Sequence, residues 1–184
     1  SFEARLTTAG CEKAAAFVKT CDAFNIPVLT LTNVEGYATS VEEEKTIAAA
    51  AAKLTAAFAE SDVPKVNMIT GNAYGSAYIT MNSKHIGADM VFALNGAKVG
   101  MMDANVAAKI MYADEIAKAD DKNALISEKA AAYAKLQASA ESAAKRGYVD
   151  SIIAPETTRQ IAAAAFEMLF TKREDRPAKK HGTV

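Results

Sequence analysis

A chain of 184 residues with 51% hydrophobic and 23% charged residues is long enough to bury one core, and its composition is not that of a disordered polymer. A formal net charge of -1 argues against a nucleic-acid partner, and no stretch approaches the roughly 20 apolar residues that a membrane span requires. The opening residues, 1–5, lack the basic start and apolar run of a secretory signal, so a cytoplasmic setting is expected.

From Gly10 to Phe24, apolar residues Ala14, Phe17, Val18, Cys21 and Phe24 recur at helical spacing and predict a helix with one buried face. Asn25 and Pro27 end it. Cys11 and Cys21 sit ten positions apart in this region, a spacing that suits neither a metal site nor a disulfide framework, so both read as structural thiols. Ile26 to Thr32 mixes β-branched and apolar residues between turn formers, the pattern of a largely buried strand, and a loop follows over 33–39. Ser40 and Glu43 have capping-box spacing, after which Ile47, Ala51, Leu54 and Phe58 mark the buried stripe of a long helix broken at 61–64.

Lys65 to Thr70 reads as a second strand, Gly71 and Asn72 as a turn, and the next helix as running to about Lys84 with Gly87 as its terminator. Met90 to Leu94 and Ala97 to Met101 are short strands around Asn95 and Gly96, and Ala104 to Tyr112 is helical. Alanine-rich 117–144 predicts one or two surface helices with a break near 120–123. Val149 to Ile153 is a last strand; Pro155 suits a helix start, with Ile161, Ala165, Met168 and Leu169 on the inner face. Strands alternating with helices predict one α/β domain over 1–184, with largely parallel pairing, no internal linker and a polar, basic tail from about 172.

The segment GNAYGSAYITMNSKH, Gly71 to His85, carries the strongest chemical signal. Gly75, Ser76 and Ala77 are small residues placed where a strand gives way to a helix, and the free N–H groups of a first helical turn can stabilise an oxyanion there. The alternative is a tight helix start packed on a neighbouring strand. His85 reads as a cap at a helix C-terminus and Asp103 as an N-cap, in preference to acid–base roles. Arg173, Arg176, Lys179 and Lys180 read as a solvated basic face. No serine, histidine and acid arrangement stands out, and no metal-ligand set.

Four ordered stretches carry a family resemblance. AFNIPVLTLTNVEGY, Ala23 to Tyr37, resembles the AFNIP strand and Pro-Gly-Phe loop of the carboxyltransferase β-type subunits of biotin-dependent acyl-CoA carboxylases, with Glu35, Gly36 and Tyr37 at the loop. VPKVNMITGNAYGSAYITMNSKHIGADMVFA, Val63 to Ala93, is similar to that family's VPK, AYGGAY, SKH and GAD sequence. KRGYVDSIIAPETTRQ, Lys145 to Gln160, and TKREDRPAKKHG, Thr171 to Gly182, resemble its closing RGYVD stretch and basic tail. IGADMVFA, Ile86 to Ala93, with Tyr78 and Ile79, is also similar to the subgroup that decarboxylates malonyl-type CoA thioesters in sodium-pumping complexes.

The resemblance implies a crotonase-like (ClpP/crotonase) ββα superhelix and a carboxyl group moved between N-carboxybiotin and an acyl-CoA. It implies backbone oxyanion donors at Ser76 and Ala77 with Gly75 allowing the turn, a biotin wall of Gly36, Tyr37 and Tyr74, and Ile79 in the acyl pocket. Ser76, Asp103 and Val106 stand where the family commonly has glycine, and Leu94, Asn95 and Gly96 replace a usual Trp-Pro-Thr. The match covers only the C-terminal half of a typical subunit. The implied partners are therefore the N-terminal carboxyltransferase half, a biotin carboxyl carrier protein and further copies in a homo-oligomer, with low activity expected of this chain alone. Two other readings remain open: a crotonase-type hydratase or isomerase using Asp103, and a non-catalytic assembly domain with exposed apolar helix faces.

Overall fold

A computed structural model describes residues 4–174. β1 (Arg5–Leu6) leads into α1 (Thr8–Ala23), where the N-cap Thr7 hydroxyl accepts a hydrogen bond from Gly10 N at 3.1 Å. Cys11, Ala15, Val18 and Cys21 form the buried stripe, while Phe17 and Phe24 are 61% and 72% exposed. The buried face is thus turned from the expected one, because the larger Phe17 lies about 100° around the helix from Val18 and Phe24 is already past its last turn.

β2 (Val28–Val34) alternates, with Val28, Thr30, Thr32 and Val34 inward and Leu29 and Leu31 outward. Its outer face is left open at Leu29 and Leu31, which makes it half-buried where a largely buried strand was expected. β3 (Gly36–Tyr37), expected as loop, pairs in parallel with β1. The long helix expected after Ser40 is two: α2 (Val41–Glu44) and α3 (Ile47–Glu60). Ser40 caps α2 as anticipated, accepting from Glu43 N at 3.2 Å, but the Glu43 carboxylate turns to α1 and accepts from Thr8 N and Thr8 Oγ1, both at 2.6 Å. α3 packs Ala50, Leu54, Ala57 and Phe58 against the buried stripe of α1.

β4 (Lys65–Tyr74) runs on through Gly71 and Asn72, so the expected turn is an irregularity inside a ten-residue strand. Thr32 pairs with Ile69 and Val34 with Ala73, leaving extra β4 residues that the Asn33 side chain accommodates by accepting from Asn72 N at 2.9 Å. A Cβ at Gly71 would stand 2.5 Å from Asn33 Oδ1, which explains the glycine. α4 (Gly75–Thr80) stops well before Lys84 because Asn82 takes a positive φ of 52° with its amide buried against Thr30 Oγ1, and Ser83 Oγ closes the Ile79 carbonyl at 2.9 Å. A separate 3-10 turn, Lys84–Ile86, ends at Gly87 with φ 95°.

β5 (Met90–Leu94) and β6 (Lys98–Gly100) follow, then α5 (Ala104–Met111), α6 (Ala113–Lys118), α7 (Lys122–Gln137), α8 (Ala140–Lys145), β7 (Ser151–Ile153) and α9 (Thr158–Met168). The main sheet orders β2-β4-β5-β7, all parallel, with β6 added beside the far end of β4. Among the α9 positions expected inward, Ala165 is buried and Met168 is 70% exposed, since a helix of small residues needs only a narrow contact. A second core, containing Ile69, Ala77, Tyr78, Val91, Val99 and Ala143, joins the sheet to α4 and α8 and fixes α4 from below. Among the described residues no helix is long and apolar enough to cross a membrane. Arg176, Lys179 and Lys180 of the basic tail lie outside the described residues.

Candidate active site

The end of β4 delivers Tyr74 to the surface of the second core, and Gly75 then turns the chain into α4 with φ 60°. This is a left-handed conformation that glycine adopts without penalty. β6 runs beside the same end of β4, pairing Tyr74 with Gly100, so the Met101 carbonyl stands 3.1 Å from where a Gly75 Cβ would be. As first-turn groups, the Ser76 and Ala77 amides have no carbonyl four residues back within α4. Ser76 is exposed and Ala77 is buried at its side chain.

β3 faces this turn from the other side. The Tyr37 hydroxyl lies 2.9 Å from Thr80 Oγ1, which ties β3 to the last residue of α4. Between them opens a cavity of about 390 Å³ whose wall includes Gly36, Tyr37, Tyr74, Gly75, Ser76 and Ala77. Six of the seven residues singled out from the sequence therefore meet at one opening. The rest of the wall is Arg5, Glu35, Met101, Met102, Asp103 and Val106. Arg5 and Met102 were not anticipated; they arrive through the β1–β3 pairing and the segment after β6, neither of which has a chemical signature in the sequence.

The charged groups at this opening already have partners. Glu35 Oε1 accepts from Asn72 Nδ2 at 2.8 Å, and Asp103 Oδ1 accepts from Asn105 N at 2.9 Å as the N-cap of α5. Asp103 is thus the cap that its position suggested. Burial, and after it the negative charges of Asp103 and Glu35, raise the Tyr74 phenol above its ordinary value and hold it protonated. The exposed side of α5 carries Val106, which lines this opening, together with the apolar Ile110 and Met111.

Ile79 lies elsewhere. It lines a second, narrower cavity of about 170 Å³ on the other side of the Gly75 turn, with Tyr78, His85, Tyr133, Arg146 and Tyr148. Gly75 and Met101 line both spaces. The Tyr78 hydroxyl is buried without a hydrogen-bond partner among the described residues, and burial, with Tyr148 adding a smaller effect, pushes its phenol up to about 12. His85 does not cap α4, which ends earlier; its ring stacks at 4.7 Å on Tyr148 and meets the Tyr78 ring edge-on at 6.1 Å.

Comparison with known proteins places this geometry. Residues 5–184 match the carboxyl transferase domain family. The chain is 47% identical over 178 residues to the propionyl-CoA carboxylase beta chain of Saccharopolyspora erythraea, covering 94% of this chain and 33% of that protein. It is 43% identical over 183 residues to the methylmalonyl-CoA decarboxylase subunit alpha of Propionigenium modestum, covering 96% and 35%. The transcarboxylase 12S crystal structure, a hexamer core with methylmalonyl-coenzyme A and methylmalonic acid bound, superposes with a TM-score of 0.93 at 40% identity over 97% of this chain and 35% of that one. The crotonase-like α/β architecture expected from the sequence is the one found. The chain spans about a third of the length of the curated relatives it matches. A domain match from residue 5 to residue 184, joined to this fold, shows that the chain belongs to the carboxyl transferase family.

Proposed function

We propose that this chain is the C-terminal, biotin-side part of a biotin-dependent carboxyltransferase, about a third of the subunit, working in the cytoplasm with the remaining N-terminal part, a biotin carboxyl carrier protein and further copies of itself. The observation that carries the reading is the convergence of Gly36, Tyr37, Tyr74, Gly75, Ser76 and Ala77 on one cavity in a chain of this family. About 390 Å³ lies within the size range of small-molecule sites, and both acids at its rim already accept hydrogen bonds. Main-chain donors suit an oxygen anion, and they must do so against the negative charges of Glu35 and Asp103 on the same wall. The residues present therefore fit the ureido group of biotin.

Biotin, when bound, supplies the carried carboxyl group and a ureido oxygen on which negative charge collects as the carboxyl group departs. The Ser76 and Ala77 amides would hold that oxygen from fixed positions, so that no reorganisation would accompany the charge. Gly75 sets the direction of both amides, and the rings of Tyr37 and Tyr74 close the sides. Ile79, in the adjoining narrow cavity, faces the acyl portion of the CoA thioester. The 43% identity to a decarboxylase alpha subunit supports the reverse direction, loss of the carboxyl group from a malonyl-type CoA, as a second reading of the same site. A hydratase or isomerase reading has less support, because one Asp103 oxygen already serves as the cap of α5.

The test combines the chain with the whole remaining N-terminal part of its subunit and follows biotin-dependent decarboxylation of a malonyl-type CoA. Turnover with the wild type, and about a 10²-fold lower rate with Ser76→Pro, are the expected results, since proline removes one donor at a first-turn position that tolerates it. No biotin-dependent turnover from the complete pair would sink the assignment.

A further inference from the structure

We propose that Tyr37 and Thr80 form a hydrogen-bond relay that orients and polarises the Ala77 amide, which makes both positioning residues for the oxyanion role given to that amide. The inference rests on that reading of the site. Its physical content can be measured separately.

The Ser76 carbonyl and the Ala77 N–H belong to one planar, conjugated peptide unit, so what binds the oxygen also sets the direction and charge of the N–H. Thr80 Oγ1 donates to the Ser76 carbonyl at 3.0 Å. A hydroxyl has one proton to give, and with that proton on Ser76 the Thr80 oxygen can only accept from the Tyr37 hydroxyl 2.9 Å away. Tyr37 is therefore the donor. Thr55 Oγ1 also approaches Thr80 Oγ1, at 3.3 Å, but stands closer to the Ala51 carbonyl at 2.9 Å, where its single proton is better placed.

The bonds run in one direction: Tyr37 O–H to Thr80 Oγ1, Thr80 O–H to the Ser76 carbonyl, and through the peptide unit to the Ala77 N–H. Aligned hydrogen bonds strengthen one another by about 10–30% each, and Thr80 is only 4% exposed, so water screens little of the effect. A threonine bonding the carbonyl four residues back is common in helices and by itself implies nothing. What is particular here is a second donor, from β3 and 43 residues away in sequence, feeding the same oxygen. That donor also lines the cavity that Ser76 and Ala77 line.

The experiment records ¹H–¹⁵N spectra of the full chain, without ligand, for wild type, Thr80→Val, Thr80→Ser and Tyr37→Phe. The Ala77 amide proton is expected to move upfield in Thr80→Val and Tyr37→Phe and to return in Thr80→Ser. An unmoved Ala77 signal in Tyr37→Phe, with the remaining amides at their wild-type positions, overturns the relay even if Thr80→Val does not fold. Free biotin added to the wild type gives an independent arm: no response at Ser76 and Ala77 removes the biotin reading, while the relay is still judged from the ligand-free spectra. In the reconstituted enzyme, Tyr37→Phe should lower kcat by about 3- to 10-fold with little change in KM, well short of the ~10²–10³-fold loss that follows deletion of a donor.

Discussion

The ammonium of Lys84 lies 2.7 Å from Asp150 Oδ2, joining two of the stretches that carry the family resemblance across 66 residues of chain. The same carboxylate oxygen accepts from Val91 N at 2.8 Å, and Lys84 also donates to the Asp89 carbonyl at 3.0 Å. The pair thereby clips the turn after α4 to the start of β5 and the approach to β7. Both side chains are about a third exposed, so charge attraction is partly screened and the backbone bond supplies much of the effect. Asp150→Ala is expected to cost about 1–2 kcal/mol, read from the urea midpoint, and Asp150→Asn about half as much. An unchanged midpoint in the alanine variant would show that the clip adds nothing.

Gly75 combines a positive φ of 60° with the Met101 carbonyl 3.1 Å from the place of a Cβ. Gly75→Ala meets both penalties at once, and a loss of roughly 1–3 kcal/mol is expected in chemical denaturation. Any relief of strain rotates the peptide that carries Ser76 N, so biotin-dependent turnover should fall more than stability does. A variant of wild-type stability and turnover would remove the argument that this turn is held for a purpose.

Much of this site was legible before the fold. Small residues after an apolar run locate the Gly75 turn, whereas Gly36 and Tyr37 come only from the family resemblance, since a loop glycine and aromatic are by themselves as well explained by an ordinary loop; both line the same opening. Local signals located the elements but misjudged where they stop: β4 absorbs Gly71 and Asn72 because Asn33 reaches across, and α4 ends at Thr80 because Asn82 is drawn to Thr30. Helical spacing of apolar residues predicts Phe17 inward, whereas the close packing of α1 on α3 selects the small face of Cys11, Ala15 and Val18. The Tyr37–Thr80 bond links β3 to α4 across 43 residues and has no local signature at all.

Cys11 offers a pH test. Burial first, then the charges of Glu43 and Glu12, raise its thiol from 9.0 to about 11. The folded chain therefore keeps this proton after the unfolded chain has released it. The contribution to stability is constant below pH 9 and is lost as pH rises from 9 to about 11. Cys11→Ala should flatten that part of the stability–pH curve. At pH 8 the native thiolate fraction is on the order of 0.1%, so alkylation of Cys11, followed by peptide mass, should be far slower than in urea. Rapid labelling of the native chain would contradict the buried, neutral thiol.

Ile79 lines the narrower cavity, and its size sets how much room remains beside Tyr78 and Tyr148. One methylene in an apolar pocket is worth about 1–3 kcal/mol of discrimination, which is a 10- to 200-fold difference between substrates. Ile79→Ala widens a space of only about 170 Å³ and should raise the ratio of kcat/KM for an acyl-CoA one methylene longer over the shorter one by about tenfold. Ile79→Asp should lower kcat/KM for both, because an apolar acyl group leaves the new carboxylate without a partner. The two variants separate pocket size from pocket polarity when assayed in the reconstituted pair. If the alanine variant leaves the ratio where it was, the acyl group does not contact Ile79, and the narrow cavity serves only the packing of α4 against α8.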